Sequence, residues 1–333
     1  MNSDKKKPLF VLTMGDPAGI GPEITIKTLH DFKGPFNVAV LGDLSVLIQA
    51  ADIVGISPSF NKITSLKEFD DSGINVLDPG IISPDQFQKG KAQAVCGKAA
   101  FEYIIRAIDL AMKNEAAGVI TNPISKESLK MAGINYPGHT EIFADRTGTR
   151  DFTMLFLLKN VGVAHVTTHC SLKEAINLIS KDRVLKNIQL LDSAMKNLGI
   201  GKPRIAVGGL NPHAGENGLF GDEEPKFITP AIEQAQQEGI DASGPYPPDT
   251  IFMRAFKGEF DGVVSMLHDH GFVALKSLDF EHGVNITTGL PIIRTSVGHG
   301  TAFNLAGTGK ASTESLRSAM NAACMLYSRG RRS

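Results

Sequence analysis

The chain has 333 residues, of which 42% are hydrophobic and 21% charged, and its formal net charge is −1. That length suits two lobes better than one core, and the charge balance excludes neither a soluble enzyme nor a small anionic ligand while giving no footing for nucleic acid or an acidic membrane. Three cysteines without paired spacing, Cys96, Cys170 and Cys324, read as reduced thiols of a cytoplasmic protein, and no apolar run is long enough to span a bilayer. The Lys5-Lys6-Lys7 run is followed by a short apolar stretch broken at Asp16 and Pro17, so a solvated tail is expected there rather than a signal peptide.

In chain order, Leu9 to Met14 reads as a strand, followed by a glycine-rich turn and a helix beginning near Pro22. Asn37 to Leu41 reads as a strand and Leu44 to Ile53 as a helix. Apolar residues at helical spacing predict a helix over Gly97 to Lys113, and a short strand follows from Gly118 to Thr121. Thr153 to Leu158 and Gly162 to Thr167 read as neighbouring strands, with helices from Leu172 onward and over Val184 to Leu198. Arg204 to Gly208 is a strand, Thr229 to Glu238 a helix, and Gly262 to Met266 a buried strand. Strands alternating with helices predict α/β architecture with a largely parallel sheet in each lobe.

Three apolar runs hand over to turns that carry histidine. Val163 to Thr168 leads to His169, Ile205 to Val207 leads through Asn211-Pro212 to His213, and Val263 to Leu267 leads to His268. Ligands of open α/β sheets bind at the carboxyl ends of strands, so these imidazoles could meet around one divalent cation with positions left for water or substrate. A lone histidine in such a place is ordinarily a hydrogen-bonded loop residue; three of them bring the two readings level. His165, inside its strand, reads as a packed core histidine.

Two glycine-punctuated segments could accept anions. Thr13 to Glu23 joins the first strand to the first helix, with Pro22 suited to the first helical turn. It lacks the G-x-G-x-x-G spacing of the common dinucleotide fingerprint, and a tight turn without a ligand is its rival reading. Gly298 to Ala311 is the second. Lys276, Asn285 and Arg294 lie upstream, and lysine and arginine are the natural holders of phosphate and carboxylate.

These residues resemble the 4-hydroxythreonine-4-phosphate dehydrogenase family, of the PdxA type. The resemblance is carried by Gly15 to Glu23, Gly138-His139-Thr140-Glu141, Leu210 to Glu216, Gly244-Pro245, Pro248-Asp249-Thr250, His268-Asp269, Leu275-Lys276, Val284 to Thr287, and Gly289 through Ser296. It implies two α/β/α lobes similar to the isopropylmalate dehydrogenases, with the active site in the interlobe cleft. The lobes are expected at residues 1–130 with 290–333 (cofactor side) and 131–289 (metal ligands and dimer contacts). It also implies a homodimer whose active sites draw on both subunits.

Carried over residue by residue, the resemblance makes His169, His213 and His268 ligands of one divalent ion (Zn, Mg, Mn or Co). His139, Thr140, Lys276, Asn285 and Arg294 become substrate contacts, and Lys276 and Asp249 catalytic candidates. Gly15, Asp16, Gly19, His299, Gly300, Thr301, Ala302 and Asn304 become the cofactor contacts, for NAD or NADP. Asn304 stands where the related adenosine loop usually carries an acid, which leaves the choice of dinucleotide open. The implied reaction is metal-dependent oxidation of 4-hydroxythreonine 4-phosphate with loss of carbon dioxide, in pyridoxal phosphate biosynthesis.

His270, Gly271-Phe272 and Gly298 depart from the biosynthetic pattern and point to a side branch. D-threonate or D-erythronate 4-phosphate is therefore the second substrate reading, ahead of an aromatic dihydrodiol. A metal-dependent phosphate hydrolase and a silent binding protein are the rivals from other classes.

Overall fold

The computed structural model describes residues 7–279 and 281–330; Lys5 and Lys6 of the basic run lie outside them. The chain divides into two compact units, Met1–Arg150 with Leu290–Tyr327, and Asp151–Gly289 with Ser328–Ser333.

Unit 1 begins with β1 (Leu9–Thr13), α1 (Gly21–Leu29), β2 (Asn37–Leu41), α2 (Leu44–Val54), β3 (Phe60–Ile63) and β4 (Ile74–Leu77). It continues through α3 (Ala94–Met112), β5 (Val119–Thr121), α4 (Lys126–Met131) and α5 (His139–Thr147). Unit 2 holds β6 (Thr153–Leu158), β7 (Val161–His165), α6 (Leu172–Leu178), α7 (Lys181–Asn197), β8 (Arg204–Gly208) and α8 (Thr229–Gln237). Next come β9 (Asp241–Tyr246), α9 (Ile251–Phe256), β10 (Gly262–Ser265), α10 (His268–Leu278) and β11 (Val284–Thr288). The chain then supplies β12 (Arg294–Val297) to unit 1, and α11 (Glu314–Gly330) follows.

The strands of unit 1 run in the order β3-β4-β2-β1-β5-β12, all parallel. The connections out of β1 and β5 lead to opposite sides, so the switch point of the sheet lies between them. The turn after β1 and the Asn122-Pro123 turn after β5 therefore meet, with Asp16 N donating to Pro123 O at 3.0 Å. The strand interiors, such as Phe10, Val11, Leu12, Val40, Val76 and Ile120, are fully buried. Their apolar character on both faces is what a parallel sheet covered by helices requires.

In unit 2 the order is β11-β6-β7-β10-β8-β9. β7, β10, β8 and β9 are parallel, while β6 is antiparallel to both of its neighbours. A two-residue turn between β6 and β7 forces that reversal, whereas the parallel strands need helical crossovers. Phe156, Val163, Ala206, Val263, Phe272 and Leu275 form the core of this unit. Each helix is bounded by local chemistry. Ser180 Oγ caps α7 by accepting from Arg183 N at 3.4 Å, and α2 ends at Gly55, whose φ of 68° is the left-handed conformation that glycine reaches without strain.

Residues 131–150, expected in the second lobe, fall in unit 1. The reason is packing: α5 buries Ile142 and Phe143 in the core that also holds Tyr103 and Ile104 of α3. Among the described residues, no helix is long and apolar enough to cross a membrane.

Candidate active site

The histidine-bearing edge of unit 2 follows from strand order. β10 lies between β7 and β8, all three parallel. The turns that carry His169, His268 and His213 therefore leave the same edge of the sheet from three adjacent strands. The imidazole rings of His169 and His268 come together, 5.8 Å apart between centroids. His268 Nδ1 lies 2.7 Å from Asp269 Oδ1, an arrangement that leaves Nε2 for another partner.

His213 behaves differently. It opens a run of left-handed backbone, with φ of 54° at His213, 55° at Ala214, 42° at Glu216 and 56° at Asn217. This run is anchored by Glu224, whose Oε1 accepts from Leu210 N and Asn211 N at 2.8 Å each. Among the described residues, no three His, Cys, Asp or Glu side chains gather in a way that could hold a metal ion. The three-histidine cluster anticipated from the strand ends is thus a pair within one chain, with His213 exposed on the neighbouring turn.

Behind the pair, His165 is buried in β7 and stacks on Phe272 at 4.6 Å with rings 4° from parallel, which fits its reading as a core histidine. Burial, then the neighbouring His268 and His270, push its pKa down to about 3. Phe272 also meets His268 at 4.5 Å and lies under Lys276 Nζ at 5.3 Å, so one aromatic ring positions an imidazole and a cation. Sequence reasoning marked Phe272 as a departure from the family pattern but not as a site residue; its position four residues beyond His268, one helical turn along α10, was the further signal. Asn285 is half-buried in β11, and Asp249 is exposed just before α9.

Gly271, between His270 and Phe272, has a direct explanation. A Cβ there would lie 2.2 Å from His165 Nε2, and the stacked, buried imidazole has nowhere to go. Gly271→Ala should therefore lower Tm, by an amount matching the ~1–3 kcal/mol typical of overpacking, and reduce activity by displacing the first turn of α10. Thermal denaturation checks this, and an unchanged Tm would show that the turn has room.

A second group forms in unit 1. Arg294, in β12, is 3% exposed and its Nη2 donates to Thr121 Oγ1 at 2.9 Å. Its guanidinium lies 5.5 Å from the Phe143 ring centroid. Burial pushes Arg294 down to about 9, partly offset by Glu141, and leaves it cationic at neutral pH. His139, at the first turn of α5, is held well below the usual imidazole range by burial and by the Arg294 charge. Its Nε2 is buried and meets no hydrogen-bond partner among the described residues. A buried cation beside a neutral imidazole with an unused nitrogen is an arrangement that an anion would complete. Thr140, next on α5, is half-buried. Thr121, which fixes the guanidinium, was legible only as the last residue of a short strand.

The two glycine segments are also in unit 1, and the first is packed against protein on the side where its glycines lack a side chain. Gly15 has φ of 80°, and a Cβ there would lie 2.5 Å from Pro123 O; at Gly19 a Cβ would lie 3.0 Å from Thr301 Cβ and O. These glycines therefore admit close approach by Pro123 and Thr301. Asp16 is fully buried, and its Oδ1 accepts from Ala18 N at 2.9 Å. Burial raises its carboxyl pKa, opposed by that hydrogen bond.

The second segment is more open. Gly300 and Asn304 are exposed, while His299, Thr301 and Ala302 are half-buried. His299 Nδ1 sits 2.9 Å from Gly300 O, and Thr301 O accepts from Ile20 N at 3.1 Å. Glu23, part of the first motif, ties the two segments together: its Oε1 accepts from Gly307 N at 2.6 Å and its Oε2 from Gly309 N at 2.8 Å.

Comparison with known proteins gives matches along nearly the whole chain. A family model described as pyridoxal phosphate biosynthetic protein PdxA matches residues 35–323. D-threonate 4-phosphate dehydrogenase of Salmonella typhimurium is 45% identical over 320 residues, spanning 95% of this chain and 98% of that one. The crystal structure of 4-hydroxythreonine-4-phosphate dehydrogenase from Klebsiella pneumoniae superposes with a TM-score of 0.86 at 42% identity, covering 96% of this chain and all of the other (100%). A terephthalate 1,2-cis-dihydrodiol dehydrogenase from Burkholderia xenovorans is more distant, with a TM-score of 0.67 at 26% identity over 96% of this chain and 98% of that one.

Proposed function

The chain belongs to the PdxA family, and from that premise we propose that it oxidises D-threonate 4-phosphate with a nicotinamide dinucleotide and a divalent cation. It is an oxidoreductase acting on a CH–OH group, which removes the hydrolase and silent-binder readings. The observation that carries the substrate class is the buried Arg294 beside neutral His139, a setting suited to the phosphate or carboxylate of a small acid. The resemblance alone ranks 4-hydroxythreonine 4-phosphate first. The similarity to the Salmonella enzyme moves the sugar acid ahead of it. The two acids differ at C2, where one has a hydroxyl and the other an amino group. A cationic pocket favours the acid without a second positive charge. The Klebsiella structure's name supports 4-hydroxythreonine 4-phosphate as the alternative.

His169 and His268 fit one divalent ion, since two imidazoles 5.8 Å apart can both reach a cation at ordinary metal–nitrogen lengths of about 2.0–2.1 Å. A bound ion would supply Lewis acidity that lowers the pKa of the reacting hydroxyl, and a bound dinucleotide would supply the hydride acceptor, leaving a β-keto acid prone to lose carbon dioxide. The chain's own residues then have distinct tasks. Arg294 and His139, with Thr140 beside them, hold the anionic end of the substrate. Phe272 keeps His268 and Lys276 in place, Lys276 and Asn285 contact the substrate's polar groups, and Lys276 or Asp249 takes the proton.

A homodimer completes this reading. Unit 2 leaves large apolar side chains exposed shortly after each histidine: Leu172 at 66% and Ile176 at 45%, Leu219 at 72% and Phe220 at 47%, and Val273 at 65%. Such a patch beside polar groups marks an association surface. We infer that a second copy covers it and that His213 reaches the His169–His268 pair across that contact.

Turnover of D-threonate, D-erythronate and 4-hydroxythreonine 4-phosphates, each with NAD and NADP and added metal, tests the substrate. A kcat/KM at least about tenfold higher on D-threonate 4-phosphate is expected, equivalent to ~1.4 kcal/mol of discrimination. The reverse order would establish the amino-acid phosphate as substrate.

A further inference from the structure

Lys89 lies on the segment that leads into α3, pressed against both glycine segments. Gly90 N donates to Ala18 O at 2.8 Å, and a Cβ on Gly90 would lie 2.8 Å from Phe303 O. Close by, Lys89 Cδ is 3.7 Å from where a Cβ of Gly307 would stand. Its Nζ is buried and has no hydrogen-bond partner among the described residues. The Phe87 ring is its aromatic neighbour, 5.6 Å to the centroid. Glu23 acts on Lys89 electrostatically, but both of its carboxylate oxygens are already held by the Gly307 and Gly309 amides. Even the carbonyls of this loop have another donor: Lys27 Nζ donates to Gly309 O at 3.0 Å and to Ala311 O at 2.7 Å.

An ammonium taken from water without a partner is costly, and proteins retain one where something arrives to pair with it. Among the described residues nothing pairs with Lys89 by hydrogen bond, so a bound anion beside Phe303 and Gly307 would supply the missing partner. We propose that Lys89 binds a phosphate group of the nicotinamide dinucleotide, an assignment that rests on the reading that the dinucleotide lies along the second glycine segment. Gly307, with φ of 84°, brings the loop alongside the lysine stem. The opposing account makes Lys89 a structural cation that only balances Glu23.

Lys89→Met and Lys89→Arg separate the two in the full-length protein, with NADH and NADPH as fluorescent probes. The expected result is a dinucleotide Kd and KM raised about tenfold or more in Lys89→Met, with kcat and the substrate KM within about twofold of wild type. Lys89→Arg should keep most of the affinity. Without ligand, Lys89→Met should melt at the wild-type temperature or above it, since a buried unpaired charge has been removed, while the rise in Tm given by NADH shrinks.

Equal losses for NADH and NADPH would place Lys89 at the shared pyrophosphate, and a loss confined to NADPH would place it at the 2′-phosphate. An unchanged dinucleotide Kd overturns the proposal, as does a Lys89→Met protein that melts lower or fails to fold. A wild-type protein that turns over its substrate yet gains no Tm from either dinucleotide and binds neither would instead refute the cofactor reading beneath it.

Discussion

Mixing His213→Ala protein with His268→Ala protein, under conditions that exchange subunits, should restore activity that neither variant has alone. Each variant by itself should lose two or more orders of magnitude in kcat, about the effect of removing one stabiliser of transition-state charge, and should lose bound metal in parallel. In the mixed dimer of a two-fold assembly, one site combines the intact His268 of one protomer with the intact His213 of the other, while its twin lacks both. Random pairing makes half of the dimers mixed, so about a quarter of wild-type activity should return.

The structural basis is the separation of the three histidines. His169 and His268 meet within one chain, whereas His213 sits on a left-handed turn outside their cluster. Exposed Leu219 and Phe220 follow His213 in the chain, and exposed Leu172 and Val273 follow His169 and His268, so the association we propose would cover all three segments. Metal content read on the mixed sample gives the same answer without the assay. No recovery of activity or metal would mean that His213 and His268 serve one chain's site together, or that one of them is no ligand.

The sequence disclosed the architecture wherever an apolar run was bounded by turn residues. β2, β6 and β8 fall on the residues anticipated from the pattern, because Val, Ile and Leu runs ending in Gly, Pro or Asn have few alternatives. The strand-end histidines were legible for the same reason. Their spatial order was not, because β10 inserts between β7 and β8 through crossovers that no local pattern encodes. β12 was hidden for the opposite reason: Arg294-Thr295-Ser296-Val297 looks polar, yet all four residues are buried. A buried arginine breaks the apolar pattern by which a covered strand is read, and local patterning fails at such positions. The glycines of the first loop are ambiguous for a third reason. A glycine permits close approach without saying what approaches: a Cβ on Gly15 would meet Pro123 O, and one on Gly19 would meet Thr301.

Arg294→Met should raise KM for the phosphorylated substrate far more than it alters kcat, with kcat/KM falling about two to three orders of magnitude. The loss of a buried, charge-assisted contact to an anion is worth roughly 3–4 kcal/mol, which corresponds to that range. Stability should move the other way or stay level. The guanidinium is buried against Phe143 with Thr121 as a partner, and exchanging a costly buried charge for an apolar chain of similar length relieves desolvation. Arg294→Lys keeps the charge but loses the fork, so it should fall between wild type and Met.

His139 supplies an internal control. Its pKa is held well below the usual imidazole range, so His139 is neutral at assay pH and substrate KM should not follow an imidazole titration between about pH 6 and 8. Arg294→Met removes one source of that depression, the nearby positive charge, although burial, the larger cause, remains. The imidazole should consequently stay neutral at pH 7 in the variant, and the loss of affinity should be the same at pH 6.5 and pH 8. A loss that vanished at the lower pH would mean that a protonated His139 can replace the guanidinium. An Arg294→Met enzyme with wild-type KM and a lowered Tm would place the arginine in the framework of β12 and leave the anion to be held elsewhere.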